Sequence, residues 1–212
     1  MGNLTRYFVG FLAPLALLGW LLPALAEEPA AAAKPSTGTF TGEITIGKAD
    51  APVTIIEYAS MTCPHCAEFH IKVLPALKEK YIDTGKVKLI FREFPLDGVA
   101  LRASMLARCG GEAKAYPFID ILFRQQMSWA GAADPMAGLG RIAKMGGMSQ
   151  SAFDACLADE ALMKQLVQGR QTGAEKYDIK GTPSFIIDGK THGGDLQIEE
   201  FDAILQPLLP DA

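Results

Sequence analysis

The stretch Glu57-Tyr-Ala-Ser-Met-Thr-Cys-Pro-His-Cys-Ala-Glu-Phe-His70 sets two cysteines, Cys63 and Cys66, on either side of Pro64 and His65. An apolar run from Val53 to Tyr58 leads into the first cysteine and reads as a buried strand. Beyond the second, Phe69, Val73, Leu77 and Tyr81 recur at four-residue steps and read as a helix. The two thiols therefore fall at a strand-to-helix turn. The first turn of a helix offers unpaired backbone N–H groups and the positive end of its dipole, and both favour a thiolate over a thiol.

Downstream, Pro75 removes one backbone hydrogen bond from the helix and predicts a kink near Leu74. Asp83-Thr84-Gly85 ends it at about Ile82, and Val87, Leu89 and Phe91 alternate as a strand. From Val99 to about Tyr177 the spacing becomes helical, with starts at Asp134-Pro135 and Ser149 and breaks at Gly110-Gly111, Gly131 and Gly146-Gly147. After Gly181-Thr182-Pro183 strands return: Ser184 to Ile187, then Lys190 to His192, with Asp188-Gly189 as a hairpin turn. Ile198, Phe201, Leu205 and Leu208 mark one face of a C-terminal helix. Upstream, Glu43 to Ile46 can form a short strand. The fold class is α/β, interrupted by an all-helical insertion.

The 212 residues are 49% hydrophobic, which is ample for a core. Phe8 to Leu22 is almost wholly apolar, Arg6 is the only charge before Glu27, and Ala24-Leu25-Ala26 has the form of a cleavage site. Residues 1–26 thus read as a secretory signal peptide; the alternative is an uncleaved membrane anchor. Residues 27–42, rich in Ala, Pro, Thr and Gly, read as a flexible tether. Without Arg6 the 20 basic residues become 19 against 24 acidic ones, a formal charge of −5. Such a balance gives no reason to expect nucleic acid as a partner.

Export places four cysteines where disulfides persist. Four cysteines allow three pairings. Cys63 and Cys66 are best placed to pair with each other, which leaves Cys109 with Cys156 as a structural staple or as two buried free thiols. An inert bridge between Cys63 and Cys66 would close a tiny loop and stabilise little. A metal site is the sharper rival, with Cys63, Cys66, His70 and His65 as ligands, although a closed tetrahedral site usually draws its second pair of ligands from elsewhere in the chain.

His65, between the cysteines, can stabilise the Cys63 thiolate through its partial charge and N–H. His70 is expected on the helix surface and His192 in the hairpin. Glu57 interrupts an apolar strand on the same alternation as Val53 and Ile55. It is either buried, and then a proton acceptor for Cys66, or a strand-edge group in water. Pro183, before a buried-looking strand, fits a cis peptide bond or a strand's first residue, and a peptide substrate could pair with the free backbone of such a bend.

With strand, Cys-Pro-His-Cys, kinked helix, strand, helical insert, Thr-Pro, hairpin and helix in this order, residues 43–209 resemble the thioredoxin-fold DsbA family of exported thiol:disulfide oxidoreductases. The run from Val73-Leu74-Pro75 to Phe94-Pro95 is also similar to DsbA-type bacterial proteins. The resemblance implies thioredoxin-like segments at 43–98 and 179–212 around a helical insertion at 99–178. It implies Cys63 as attacking thiol, Cys66 as resolving thiol, Pro183 as the facing cis-proline and Glu57 as a buried acid, with no cofactor and no resident metal. Thr182 stands where the best-known oxidases have valine, and threonine there is found in related isomerases and reductases. The second cysteine pair is found in a subset of the family.

Three functions follow as expectations. The first is a periplasmic dithiol oxidase acting on reduced, unfolded exported proteins and reoxidised by a quinone-linked membrane partner of the DsbB type. The second is a reductase or isomerase of the same fold. The third is an exported metal chaperone. A monomer is expected, because residues 27–41 look too short for a dimerisation segment.

Overall fold

The computed structural model describes residues 39–210 and, before them, Gly2 alone. The signal-peptide reading of residues 1–26 and most of the 27–42 tether lie outside the described residues. Five strands form one mixed sheet in the order β1-β3-β2-β4-β5. They are β1 (Ile44–Ile46), β2 (Val53–Ala59), β3 (Val87–Glu93), β4 (Ser184–Ile187) and β5 (Lys190–Gly193). β2 and β3 run parallel, joined by the helical segment that follows the two cysteines, and the other pairings are antiparallel. The hairpin turn holds Asp188 and Gly189 at φ 48° and 73°, the left-handed pair that a two-residue turn between twisted strands requires.

β2 is central and, apart from Glu57 and Thr54, apolar on both sides, as suits a strand covered on both faces. Val53 and Ile55 point toward α2 (Leu74–Leu77) and α9 (Ile198–Leu205), packing with Phe69, Leu77, Phe185 and Phe201. Tyr58 points the other way and meets Phe94, Ile179 and Ile186. There α8 (Glu160–Tyr177) comes so close that a Cβ on Gly173 would lie 2.4 Å from the Tyr58 ring.

The helix after the cysteines is not regular. α1 (Pro64–Glu68) passes into a wide π-type turn at Phe69–Val73, where the Leu74 N–H reaches back to the Phe69 carbonyl. In place of a kink near Leu74, the structure has this wide turn, ending at Val73, two residues before Pro75.

Between β3 and β4 lie α3 (Gly98–Cys109), α4 (Glu112–Arg124), α5 (Gln126–Trp129), α6 (Pro135–Met145), α7 (Gln150–Leu157) and α8. Asp134 and Ser149 cap α6 and α7 through their side chains, as their sequence positions suggested. Cys109 and Cys156 are bridged, tying α3 to α7 beside Met105, Leu162 and Leu166. With its ends 47 positions apart in sequence, the bridge removes about 4 kcal/mol of unfolded-state entropy in the chain-entropy account. A buried ion pair joins insert to sheet: Arg108 donates Nε–H and Nη2–H to the two carboxylate oxygens of Glu93 at 2.6 and 2.8 Å. Its Nη1 donates to the carbonyls of Phe40 and Gly42, where the described chain enters the fold. Among the described residues no helix is long and apolar enough to cross a membrane.

Candidate active site: a dithiol turn facing a cis-proline

Cys63 is the N-cap of α1, with extended backbone (φ −76°, ψ 120°), and Pro64 occupies the first helical position, where a missing N–H costs nothing. Cys63 just reaches the surface, at 7% exposure, whereas Cys66 is fully buried. The Thr182–Pro183 peptide bond is cis and brings its loop onto the turn. Cys63 Sγ–H donates to the Thr182 carbonyl at 3.2 Å. Thr182 Oγ1 is buried and has no hydrogen-bond partner among the described residues.

The two thiols are driven apart in acidity. The Cys63 pKa falls from 9.0 to about 5, chiefly because the Cys66 thiol donates to its sulfur. Partial burial opposes this fall, and the Thr182 hydroxyl and the backbone N–H groups of Cys66 and His65 add to it. Burial pushes the Cys66 thiol far up, helped by its bond to Cys63 and by the Glu57 charge. At neutral pH one thiol is ionised and the other keeps its proton.

Side chains that the sequence did not single out hold this turn. Gln126, buried at the start of α5, donates Nε2–H to the carbonyls of Met61 and Cys63 at 2.9 Å each. Thr62 donates to Asp97 Oδ2 at 2.6 Å, and the other oxygen of Asp97 caps α3 by accepting from the Ala100 N–H. Asp97 carries a local signal as a helix cap, but nothing local points to its bond with Thr62 or to Gln126. Gln126 lies 63 residues beyond Cys63, and only the folded insertion brings them together.

His65 is exposed, and its Nδ1 lies 2.9 Å from Asp195, in the loop after β5. The side chain is thus engaged by a carboxylate, and it is the backbone N–H of His65 that bears on Cys63. His70 corrects the sequence reading: it is not on the helix surface but 2% exposed, with Nε2 3.0 and 3.1 Å from the two oxygens of Glu57. It follows Cys66 by four residues, so it shares the buried face of the helix, which is wider than the Phe69-Val73-Leu77 line suggested. Glu57 is buried, at 0% exposure, and so is not a strand-edge group in water. His65 and His70 are turned to separate carboxylates, and among the described residues no three His, Cys, Asp or Glu side chains gather as a metal-ligand set.

An acidic thiol at a helix start, a buried thiol behind it and a cis-proline loop across from both, on a mixed sheet with a helical insertion, define a thioredoxin-fold dithiol protein. A thioredoxin family model matches residues 39–207. A Rickettsia bellii protein described as a protein-disulfide oxidoreductase is 34% identical over 164 residues, 74% of this chain and 63% of its own length. Disulfide bond formation protein D of Bacillus cereus is 30% identical over 161 residues, 71% of this chain and 72% of its own. The crystal structure of alpha-DsbA1 from Wolbachia pipientis is 36% identical with a TM-score of 0.72, over 80% of this chain and 92% of that one. The match spans less than two thirds of the Rickettsia bellii protein. The chain belongs to the thioredoxin family, among its DsbA-like disulfide oxidoreductases.

Proposed function

We propose that this protein is an exported dithiol oxidase that introduces disulfide bonds into other exported proteins through a Cys63–Cys66 disulfide. The observation that carries the reading is the division of acidity between the two thiols. A Cys63 thiolate held at about pH 5 stabilises the reduced protein, and a stabilised reduced form makes the disulfide a strong oxidant.

In this reading a substrate thiolate attacks Cys63 of the Cys63–Cys66 disulfide. A bond forms between the substrate sulfur and Cys63, the Cys63–Cys66 bond breaks, and Cys66 leaves with its electron pair and takes up a proton. A second substrate thiolate attacks the first substrate sulfur and displaces Cys63 as a thiolate. The substrate gains a disulfide, and the enzyme is left with two electrons and needs reoxidation. Family resemblance supplies the reoxidant, a quinone-linked membrane partner of the DsbB type. The cis Thr182–Pro183 loop, lying across from Cys63, supports contact with the backbone of an extended substrate bound at that thiol. Residues 1–26 support export to the periplasm.

Refolding of reduced ribonuclease in a glutathione buffer tests the proposal: the oxidised protein is expected to accelerate recovery of activity, and no gain over buffer would rule it out. Thr182, which reductases and isomerases share, favours a second reading, catalysed reduction or reshuffling of wrong disulfides. The reduction potential of the pair separates the two, since a value near that of thioredoxin is incompatible with the oxidase.

A further inference from the structure

Glu57 lies in the middle of β2, in register with Phe91 on β3 and Phe185 on β4, so its strand neighbours offer it no polar group. Its hydrogen-bonding partner is His70, whose Nε2 lies within 3.1 Å of both carboxylate oxygens. The imidazole lies against the Phe123 ring at 4.3 Å, with Phe69 and Phe91 edgewise at 5.4 and 5.8 Å. Its Nδ1 is buried with no partner among the described residues.

This asymmetry fixes where the protons sit. With hydrogen on Nε2, the ring donates to the carboxylate and leaves only a bare lone pair at Nδ1. A further proton on the pair creates a donor without an acceptor, either N–H at Nδ1 among phenyl rings or O–H on Glu57. A buried unpaired donor is costly, and the arrangement that leaves none has Nε2–H donating to the Glu57 carboxylate.

The other titratable groups facing that charge are Cys66 on α1 and Tyr116 on α4. The Cys66 thiol is held up by burial first and then by Cys63 and Glu57. Tyr116 is pushed up to about 12, by burial first, then by Asp120 and Glu57. Tyr116 therefore stays neutral in the working range.

We propose that His70 is a positioning residue for the resolving step: its Nε2–H holds the Glu57 carboxylate in place to take the proton from Cys66. This rests on the reading of Cys63 as attacking and Cys66 as resolving thiol. Starting from a mixed disulfide at Cys63, the Cys66 proton passes to the Glu57 carboxylate and Cys66 Sγ attacks Cys63 Sγ. The Cys63–Cys66 bond forms, the bond from Cys63 to the partner sulfur breaks, and the partner leaves as a thiolate. No outside oxidant enters this step.

The reaction of the reduced full chain with Ellman's reagent reads it directly. One equivalent of thionitrobenzoate is released when Cys63 attacks, and a second when Cys66 resolves the adduct. In His70→Phe the Glu57 carboxylate is buried without its hydrogen-bond donor, and burial of that kind favours the protonated acid over the base. The second phase is then expected to slow about ten-fold near pH 6.5 and to recover as pH rises, while the first phase serves as internal reference. His70→Gln, whose amide N–H can still donate to Glu57, is expected to restore most of the rate. In a Glu57→Gln background, His70→Phe should change the second phase no further. A second-phase pH profile that coincides with that of the parent, a slowing equal at every pH, or an effect that persists without Glu57 would each overturn the proposal. Release of a single equivalent by the parent protein would overturn the assignment of Cys66, and the role of His70 with it.

Discussion

Cys66 keeps its proton, and by donating it to the Cys63 sulfur it lets Cys63 lose its own. This relationship has a thermodynamic sign. Cys63 is depressed from 9.0 to about 5 in the folded reduced protein. Between those pH values the unfolded reduced chain binds a proton there that the folded one does not, so stability of the reduced form rises with pH across the window. It is lost as pH falls through 5. The oxidised protein has no thiol at this position and no such slope. Urea unfolding of both forms from pH 4.5 to 8.5 should show the reduced form gaining on the oxidised form as pH rises. Parallel curves would contradict the depressed Cys63.

The His65 side chain is bound to Asp195, and what bears on Cys63 is its backbone N–H. His65→Ala keeps that N–H. The midpoint of Cys63 alkylation by iodoacetamide should therefore move by about one unit at most, leaving it well below that of an ordinary thiol. A midpoint near 8.5 would return the main role to the imidazole.

Gln126 satisfies two carbonyls of the dithiol turn from inside the insertion. Gln126→Leu keeps the bulk and strands both acceptors, a loss of about 2 kcal/mol or more in urea unfolding. Because one acceptor belongs to Cys63 itself, alkylation of Cys63 should also change in rate. An unchanged unfolding midpoint would show that the turn holds itself.

Arg108→Met leaves Glu93 buried without its partner and should cost about 3–5 kcal/mol. Pairing it with Glu93→Leu removes the stranded charge and is expected to recover much of the loss. If the double variant is as unstable as the single one, the hydrogen bonds from Arg108 to Phe40 and Gly42 matter more than its charge.

Local signals carried much of this structure and none of its long-range chemistry. Strand alternation at Val87, Leu89 and Phe91, the capping residues Asp134 and Ser149, and the Asp188-Gly189 turn each act over a few residues, and each is found where the sequence puts it. The two cysteines were legible for the same reason, since a helix start activates its own N-cap. His70 was misread because a charged-type residue beside a four-residue apolar line looks solvated until its partner is known. That partner, Glu57, lies 13 residues earlier on another element. Gln126, Asp97 and Asp195 act across still longer separations, and nothing in their neighbours announces it.

Thr182 stands 119 residues after Cys63. A chain is made from its N-terminus, so a nascent protein bears its Cys-Pro-His-Cys turn long before the carbonyl and hydroxyl that will face it exist. Until β4 docks beside β2, Cys63 lacks the Thr182 contribution to its acidity. Full reactivity is thus a late acquisition, conferred when β4 pairs with β2, and a half-made molecule is a poorer catalyst than a finished one.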